Sequence, residues 1–115
     1  MTIQALLDSW AALEPERCSD DEKSPIKGDK KVLIDNNWWQ VWSGRTTVEC
    51  LLVQGAVQQA IEASCWHYEQ RWYGTVKVAL VYPHEVAKLI RHEADTHAEA
   101  LLAAYLEALR IKEKG

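Results

Sequence analysis

The chain has 115 residues, enough for one domain that buries a core without metals or disulfides. Hydrophobic residues are 48% and charged residues 26%, the balance of an ordinary globular protein, and a formal net charge of −4 excludes bulk attraction to nucleic acid or anionic lipid. No apolar run approaches the roughly 20 residues that cross a bilayer, and no basic stretch precedes an apolar h-region at the start. Cys18, Cys50 and Cys65 have no C-x-x-C spacing and read as free thiols of a reducing compartment, so a cytoplasmic protein is expected.

Residues 2–13 place Ile3, Leu6, Leu7, Trp10 and Leu13 at helical spacing behind a Thr2 cap, with Pro15 just past the end. At about three turns this amphipathic helix is marginal alone and must dock on something. Residues 14–31 are dominated by charged residues, Ser, Pro and Gly, and Ile26 is their one large aliphatic. Such a segment does not offset its ordering entropy by burial, and it reads as a flexible charged connector. Val32-Leu33-Ile34, then Asn36-Asn37, then Trp38 to Trp42 read as a β-hairpin, because Asn tolerates the positive φ of a two-residue turn.

Thr46 and Glu49 have capping-box spacing, which predicts a helix from about Thr47 to Arg71 with Val48, Leu51, Leu52, Ala56, Ala60 and Ala63 inward. The rival reading makes Thr46–Val53 a strand and starts the helix near Gly55. Gly74 breaks the pattern, and Thr75 to Tyr82, rich in β-branched residues, predicts a mostly buried strand. A last helix is predicted from His84, after Pro83, to about Lys112. Its apolar arc runs through Val86, Ile90, Ala94, His97, Leu101 and Tyr105 and widens through Leu102, Leu106 and Leu109. An arc that wide needs cover from two directions, which the N-terminal helix or a second copy of the chain supplies. No internal repeat is visible. The order predicts an α+β domain over 32–115: a small, mainly antiparallel sheet (the hairpin plus one further strand) with a long middle helix and a long C-terminal helix. The N-terminal helix, 1–13, is joined to it by the connector 14–31.

Chemistry-bearing motifs are weak. His92 and His97 are five apart, one too many for the two-histidine zinc helix, and project about 140° apart on a helix. Glu93 and His97 have helical spacing for a carboxylate–imidazole contact. Cys65 and His67 would project to opposite sides of a helix, which opposes a nucleophile–base pair. The scattered glycines form no phosphate-binding loop. No catalytic residue, metal or cofactor is assigned, and a non-enzymatic protein is expected.

The aromatic residues carry the functional expectation. There are six tryptophans and no phenylalanine, and Trp38-Trp39-Gln40-Val41-Trp42 places indoles on both faces of one strand. A second cluster, Trp66, Tyr68, Trp72 and Tyr73, closes the middle helix. These rings either fill a core that lacks Phe or form a surface that anchors a partner. The expected function is that of a small acidic accessory protein, an inhibitor or adaptor of the general character common in bacterial and phage genomes. It would bind a protein partner through Trp38, Trp39, Trp42, Trp72 and Tyr73 as anchors, with Arg45 and Arg71 at the rim. The alternative is a nucleic-acid-associated regulator that stacks bases on Trp beside Arg45, Arg71 and Lys77. A homodimer would use Leu102, Tyr105, Leu106 and Leu109.

Overall fold

Thr2 accepts a hydrogen bond from the Ala5 amide (3.2 Å) and starts helix α1, Ile3–Leu13, which buries Ile3, Leu6, Leu7 and Trp10. The computed structural model describes residues 2–114. The segment expected to be a connector contains strand β1, Cys18–Asp20, paired antiparallel with β2, Lys30–Ile34. Burial of Cys18 and of the Lys30 side chain gives it the anchorage that its composition hides. The Lys30 ammonium lies 2.8 Å from Asp8 of α1, 2.8 Å from Asp20 of β1 and 2.8 Å from the Gly28 carbonyl. All three protons of a buried cation thus have oxygen acceptors, which holds helix, strand and loop together. Burial opposes the Lys30 charge, but bonds to Asp20 and Asp8 outweigh it and hold its pKa above the ordinary value. The N-terminal helix is accordingly part of the single core.

β2 pairs with β3, Asn37–Trp42, through a two-residue turn. The left-handed residues of that turn are Asp35 (φ 51°) and Asn36 (φ 65°), one position earlier than expected, and Ile34 and Asn37 close the hairpin. A bulge between Lys30 and Lys31 lets Val41 turn into the core. Gly44 follows at φ +73°, and a Cβ there would lie 3.0 Å from Ile3 Cγ1 and 3.2 Å from Leu7 Cδ1. Only glycine permits that approach of α1 to the hairpin exit.

The capping box opens α2, Thr47–Ala63. Thr46 Oγ1 accepts from the Glu49 amide (3.2 Å), and the buried Glu49 carboxylate accepts from the Thr46 hydroxyl (2.5 Å) and the Gly44 amide (3.1 Å). The inward face differs from the expected one: Glu49, Val53, Ala56, Val57, Ala60 and Ile61 are buried, whereas Val48 and Leu51 are exposed. The helix also ends earlier than expected. Cys65 adopts φ 59°, a left-handed stop, and His67–Tyr73 forms strand β4. A Gly74-Thr75 turn leads into β5, Val76–Tyr82, as expected for this strand.

The expected last helix is overturned in its first third. Residues His84–Val86 make a single 3-10 turn closed by Ala87 at φ 46°, and Ile90–Ala94 is strand β6. The helix α3 spans His97–Lys114 and starts on a second capping box: Thr96 Oγ1 accepts from the Glu99 amide (3.1 Å) and donates to its carboxylate (3.2 Å). Ile90 and Ala94 are four apart, and a spacing of four returns to the same face in a helix and in a strand alike. Hydrophobic period therefore does not separate the two readings there.

The fold is α+β with two three-stranded antiparallel sheets, β1-β2-β3 and β4-β5-β6, in place of one hairpin plus a strand. Each sheet is followed by a capped helix that packs on its second and third strands: α2 on β2 and β3, α3 on β5 and β6. The chain is thus α1 followed by two βββα units, a repeat of form that the sequence does not display. α3 also packs on α2 and α1. This corrects the expected dimer surface, because Leu102, Tyr105 and Leu106 are fully buried inside the chain and Leu109 is half-buried against the same core. α1 supplies the second cover.

At the centre, the Tyr105 ring meets Trp10 edge-on (centroids 6.2 Å apart) and Trp66 at a tilt (5.9 Å). Its hydroxyl donates to Glu14 Oε1 (2.6 Å), which also accepts from the Trp10 indole N–H (3.0 Å). Burial, then the Glu14 contact, pushes the Tyr105 phenol far above its ordinary pKa, so it stays a donor. Tyr105→Phe is expected to lower the unfolding free energy by about 1–3 kcal/mol in a urea titration. Lys30→Met is expected to cost a similar amount and to make residues 20–29 the first site cut in limited proteolysis.

Candidate interaction surface

Two of the six indoles serve the core and four do not. Trp10 is 0% and Trp66 4% exposed, whereas Trp38 is 44%, Trp39 48%, Trp42 44% and Trp72 66% exposed. The hairpin explains the first three. β3 is an edge strand with β2 as its one neighbour, so each of its side chains has cover from one flank at most. Trp39 stands opposite Val32 and Trp38 opposite Leu33, which puts an indole on each face of the strand, as the alternation requires. The Lys31 ammonium lies 5.0 Å from the Trp38 ring centroid, a cation–π contact. Trp38, Trp39 and Gln40, with Glu22, Lys23 and Lys31, line an open cleft of about 440 Å³.

Trp42 is held differently. Its backbone has φ 46°, in a tight turn closed by the Gly44 amide donating to the Val41 carbonyl (2.7 Å). The left-handed region costs a residue with a bulky side chain roughly 1–2 kcal/mol and suits Gly, Asn or Asp. An indole here is therefore carried at a conformational cost while half of it faces water.

The remaining predicted anchors lie elsewhere. Trp72 stands opposite Lys77, with its ring edge-on to His97 (6.2 Å). His97 lines a cleft of about 260 Å³ with Arg45, Leu51 and Lys77, so Trp72 and Arg45 belong to one neighbourhood. Arg71 and Tyr73 point the other way, onto the face of β4-β5-β6 that carries no helix. There Arg71 is ion-paired with Glu69 (2.8 Å). The structure thus divides the predicted set among the β2–β3 hairpin, the cleft at the start of α3, and the open face of the second sheet. Sequence reasoning missed Leu51, placed inward but 61% exposed, and Leu89, 57% exposed. It also missed the edge-on rings of His67, Tyr82 and His84, with centroids 5.0 Å (His67–His84) and 5.6 Å (Tyr82–His84) apart. The Thr96-x-x-Glu99 spacing is the signal that would have placed α3 and its neighbours correctly.

The polar candidates dissolve on folding. Glu93 pairs with Arg91 (2.6 Å) on β6 and does not meet His97. His97 Nδ1 is buried without a hydrogen-bond partner among the described residues, and burial, then the nearby Lys77, lowers its pKa. The histidine that meets a carboxylate is His92, half-buried, with Nε2 3.2 Å from Glu107. Cys65 is exposed. Among the described residues no group of three or more His, Cys, Asp or Glu side chains converges as a metal site, and no helix is long and apolar enough to cross a membrane.

No family model, no curated protein and no solved structure significantly matches this chain.

Acrylamide quenching of the native protein should resolve two emitter classes, Trp38, Trp39, Trp42 and Trp72 accessible, Trp10 and Trp66 protected. Uniform protection of all six would remove the aromatic surface. With a thiol reagent at about pH 8, Cys65 should react first. Cys18, whose thiol burial pushes up to about 12, should stay silent until the protein unfolds.

Proposed function

We propose that the protein is a non-enzymatic accessory protein, an inhibitor or adaptor, that binds a protein partner through the tryptophan-bearing β2–β3 hairpin. The observation that carries this reading is the β3 edge: three half-exposed indoles within five residues, one of them in a left-handed backbone. The core does not need these rings, since Trp10, Trp66 and Tyr105 fill its centre. Leaving them half in water forgoes roughly 1 kcal/mol of burial each and exposes an apolar strand edge, which a chain selected for stability alone avoids. Large rings with one polar N–H each are the anchors that dominate protein interfaces. The unpaired backbone edge of β3 beside them offers hydrogen bonds to an extended segment of the partner.

Arg45, which carries no ion pair among the described residues, supplies a charged donor close to the hairpin in sequence. Trp72, edge-on to the His97 ring that lines a cleft with Arg45, is a second anchor. Base stacking on nucleic acid is the weaker reading. Arg71 is paired with Glu69, Arg91 with Glu93 and Lys30 with Asp8 and Asp20, and the cleft beside Trp38 and Trp39 sets Lys23 and Lys31 against Asp21 and Glu22, a mixed lining that gives a phosphate backbone little to follow.

The test uses Trp42→Gly and the double variant Trp38→Ser/Trp39→Ser. Trp42→Gly relieves the left-handed strain, so its unfolding free energy should stay within about 1 kcal/mol of the parent. Both variants should lose a host protein that the parent retains in quantitative affinity capture. A bait whose retained proteins are identical in parent and variants would refute the reading, as would a hairpin variant that unfolds.

A further inference from the structure

The side of β4-β5-β6 away from α3 has an order of its own. Ala79, Val81 and Ile90 face the core, so the alternate residues face outward. The register arranges these in rows across the sheet. Glu69, Leu80 and Arg91 form one row, and Arg71, Val78 and Glu93 form the next. His67 and Tyr82 form a third row beside Leu89, and Tyr73 and Val76 form a fourth. An apolar stripe along β5 therefore runs between two charged strands whose signs are reversed: acid then base along β4, base then acid along β6. Val78 is 2% exposed although it lies outside the core cluster, because its neighbours in the row, Arg71 and Glu93, flank it on both sides. Tyr73, Val76, Tyr82 and Leu89 remain exposed around the stripe.

This pattern is complementary to itself. A two-fold axis running along β5 in the plane of contact lays β4 of one copy over β6 of the other. Glu69 then faces Arg91, Arg71 faces Glu93, and each pair occurs twice. Leu80, which is partly exposed, meets its own counterpart on the axis, while Val78 stays sealed beneath the Arg71–Glu93 row. Sheets packed face to face lie about 10 Å apart with strands nearly aligned, a gap that Arg and Glu side chains span from both sides. The ion pairs already present do not oppose this. Arg71–Glu69 and Arg91–Glu93 each use one guanidinium nitrogen along their own strand, and even with Tyr73 also beside Arg71, five N–H donors per guanidinium leave some to bond a carboxylate opposite.

We propose that the open face of β4-β5-β6 docks a second copy of this chain, sheet on sheet, about a two-fold axis along β5. The surface is separate from the tryptophan hairpin, so the dimer would present two hairpins to partners. The footprint of three short strands is small, which makes the association reversible and dependent on concentration.

The test is sedimentation velocity on the full chain from about 1 μM to about 500 μM, a range that brackets dissociation of small interfaces. A reversible dimer that weakens with added salt is expected. Arg91→Glu places like charges against Glu69 twice per dimer and should weaken association at least about tenfold, as should Glu69→Arg. The double variant Glu69→Arg/Arg91→Glu restores opposite charges across the axis and should recover the parent affinity to within about threefold. Thermal melts of each variant separate misfolding from lost contact, and Trp38→Ser/Trp39→Ser should dimerise like the parent. A chain monomeric across the range, a dimer indifferent to Arg91→Glu, or well-folded charge variants without recovery in the double variant would each overturn the proposal.

Discussion

A phenol hydroxyl buried in the middle of α3 must find an acceptor, and Glu14 provides it from the end of α1. The same carboxylate oxygen accepts the Trp10 indole N–H, so one side chain satisfies both polar groups of the aromatic centre. Tyr105 then touches Trp10 on one side and Trp66 on the other. Trp66 sits at the junction between α2 and β4, and its N–H donates to Glu85 beyond β5 (2.5 Å). The N-terminal helix and both βββα units therefore converge on one ring. Glu14 acts only if α1 is docked, and α1 is docked partly through the Asp8–Lys30 pair, whose ammonium also bonds the Gly28 carbonyl in the loop before β2.

That centre also divides the aromatic side chains. Once Trp10, Trp66 and Tyr105 fill it, the remaining indoles have no interior to enter. They lie on the edge strands β3 and β4, each with a strand neighbour on one flank only. Each three-stranded sheet has one helix-covered face and one face without a helix. In the first sheet the residues left in water are indoles beside mixed charges. In the second they are apolar residues framed by charges of alternating sign. These are two different surfaces, and they fit two different occupants.

The backbone carries its irregularities at the same places. Asp35, Asn36, Trp42, Cys65 and Ala87 have positive φ, and each lies at a turn or an element end. Asp and Asn suit such positions, and Cys65 stops α2. Trp42 alone has a large aromatic side chain at such a backbone position, and its ring is half-exposed.

Some of this was written in the residues themselves. The α1 face, the Thr46–Glu49 cap, the two-residue turn near Asn36, the strand to Tyr82 and the later part of α3 all follow from short-range chemistry: caps, turn residues and one clear period. The alternation in Trp38–Trp42 was equally legible, because a strand cannot hide both of its faces at an edge. Tertiary contacts decided the rest. His67 to Tyr73 and Ile90 to Ala94 suit a helix or a strand by spacing, and pairing with β5 on either side selected the strand. Residues 14–31 lack apolar bulk, and a buried Lys30 with three oxygen partners, drawn from α1, β1 and the adjoining loop, ordered them instead. The charge pattern of Glu69, Arg71, Arg91 and Glu93 exists only in the register of three strands. A local sequence window records spacing along the chain, whereas register and burial are set by segments far apart in it.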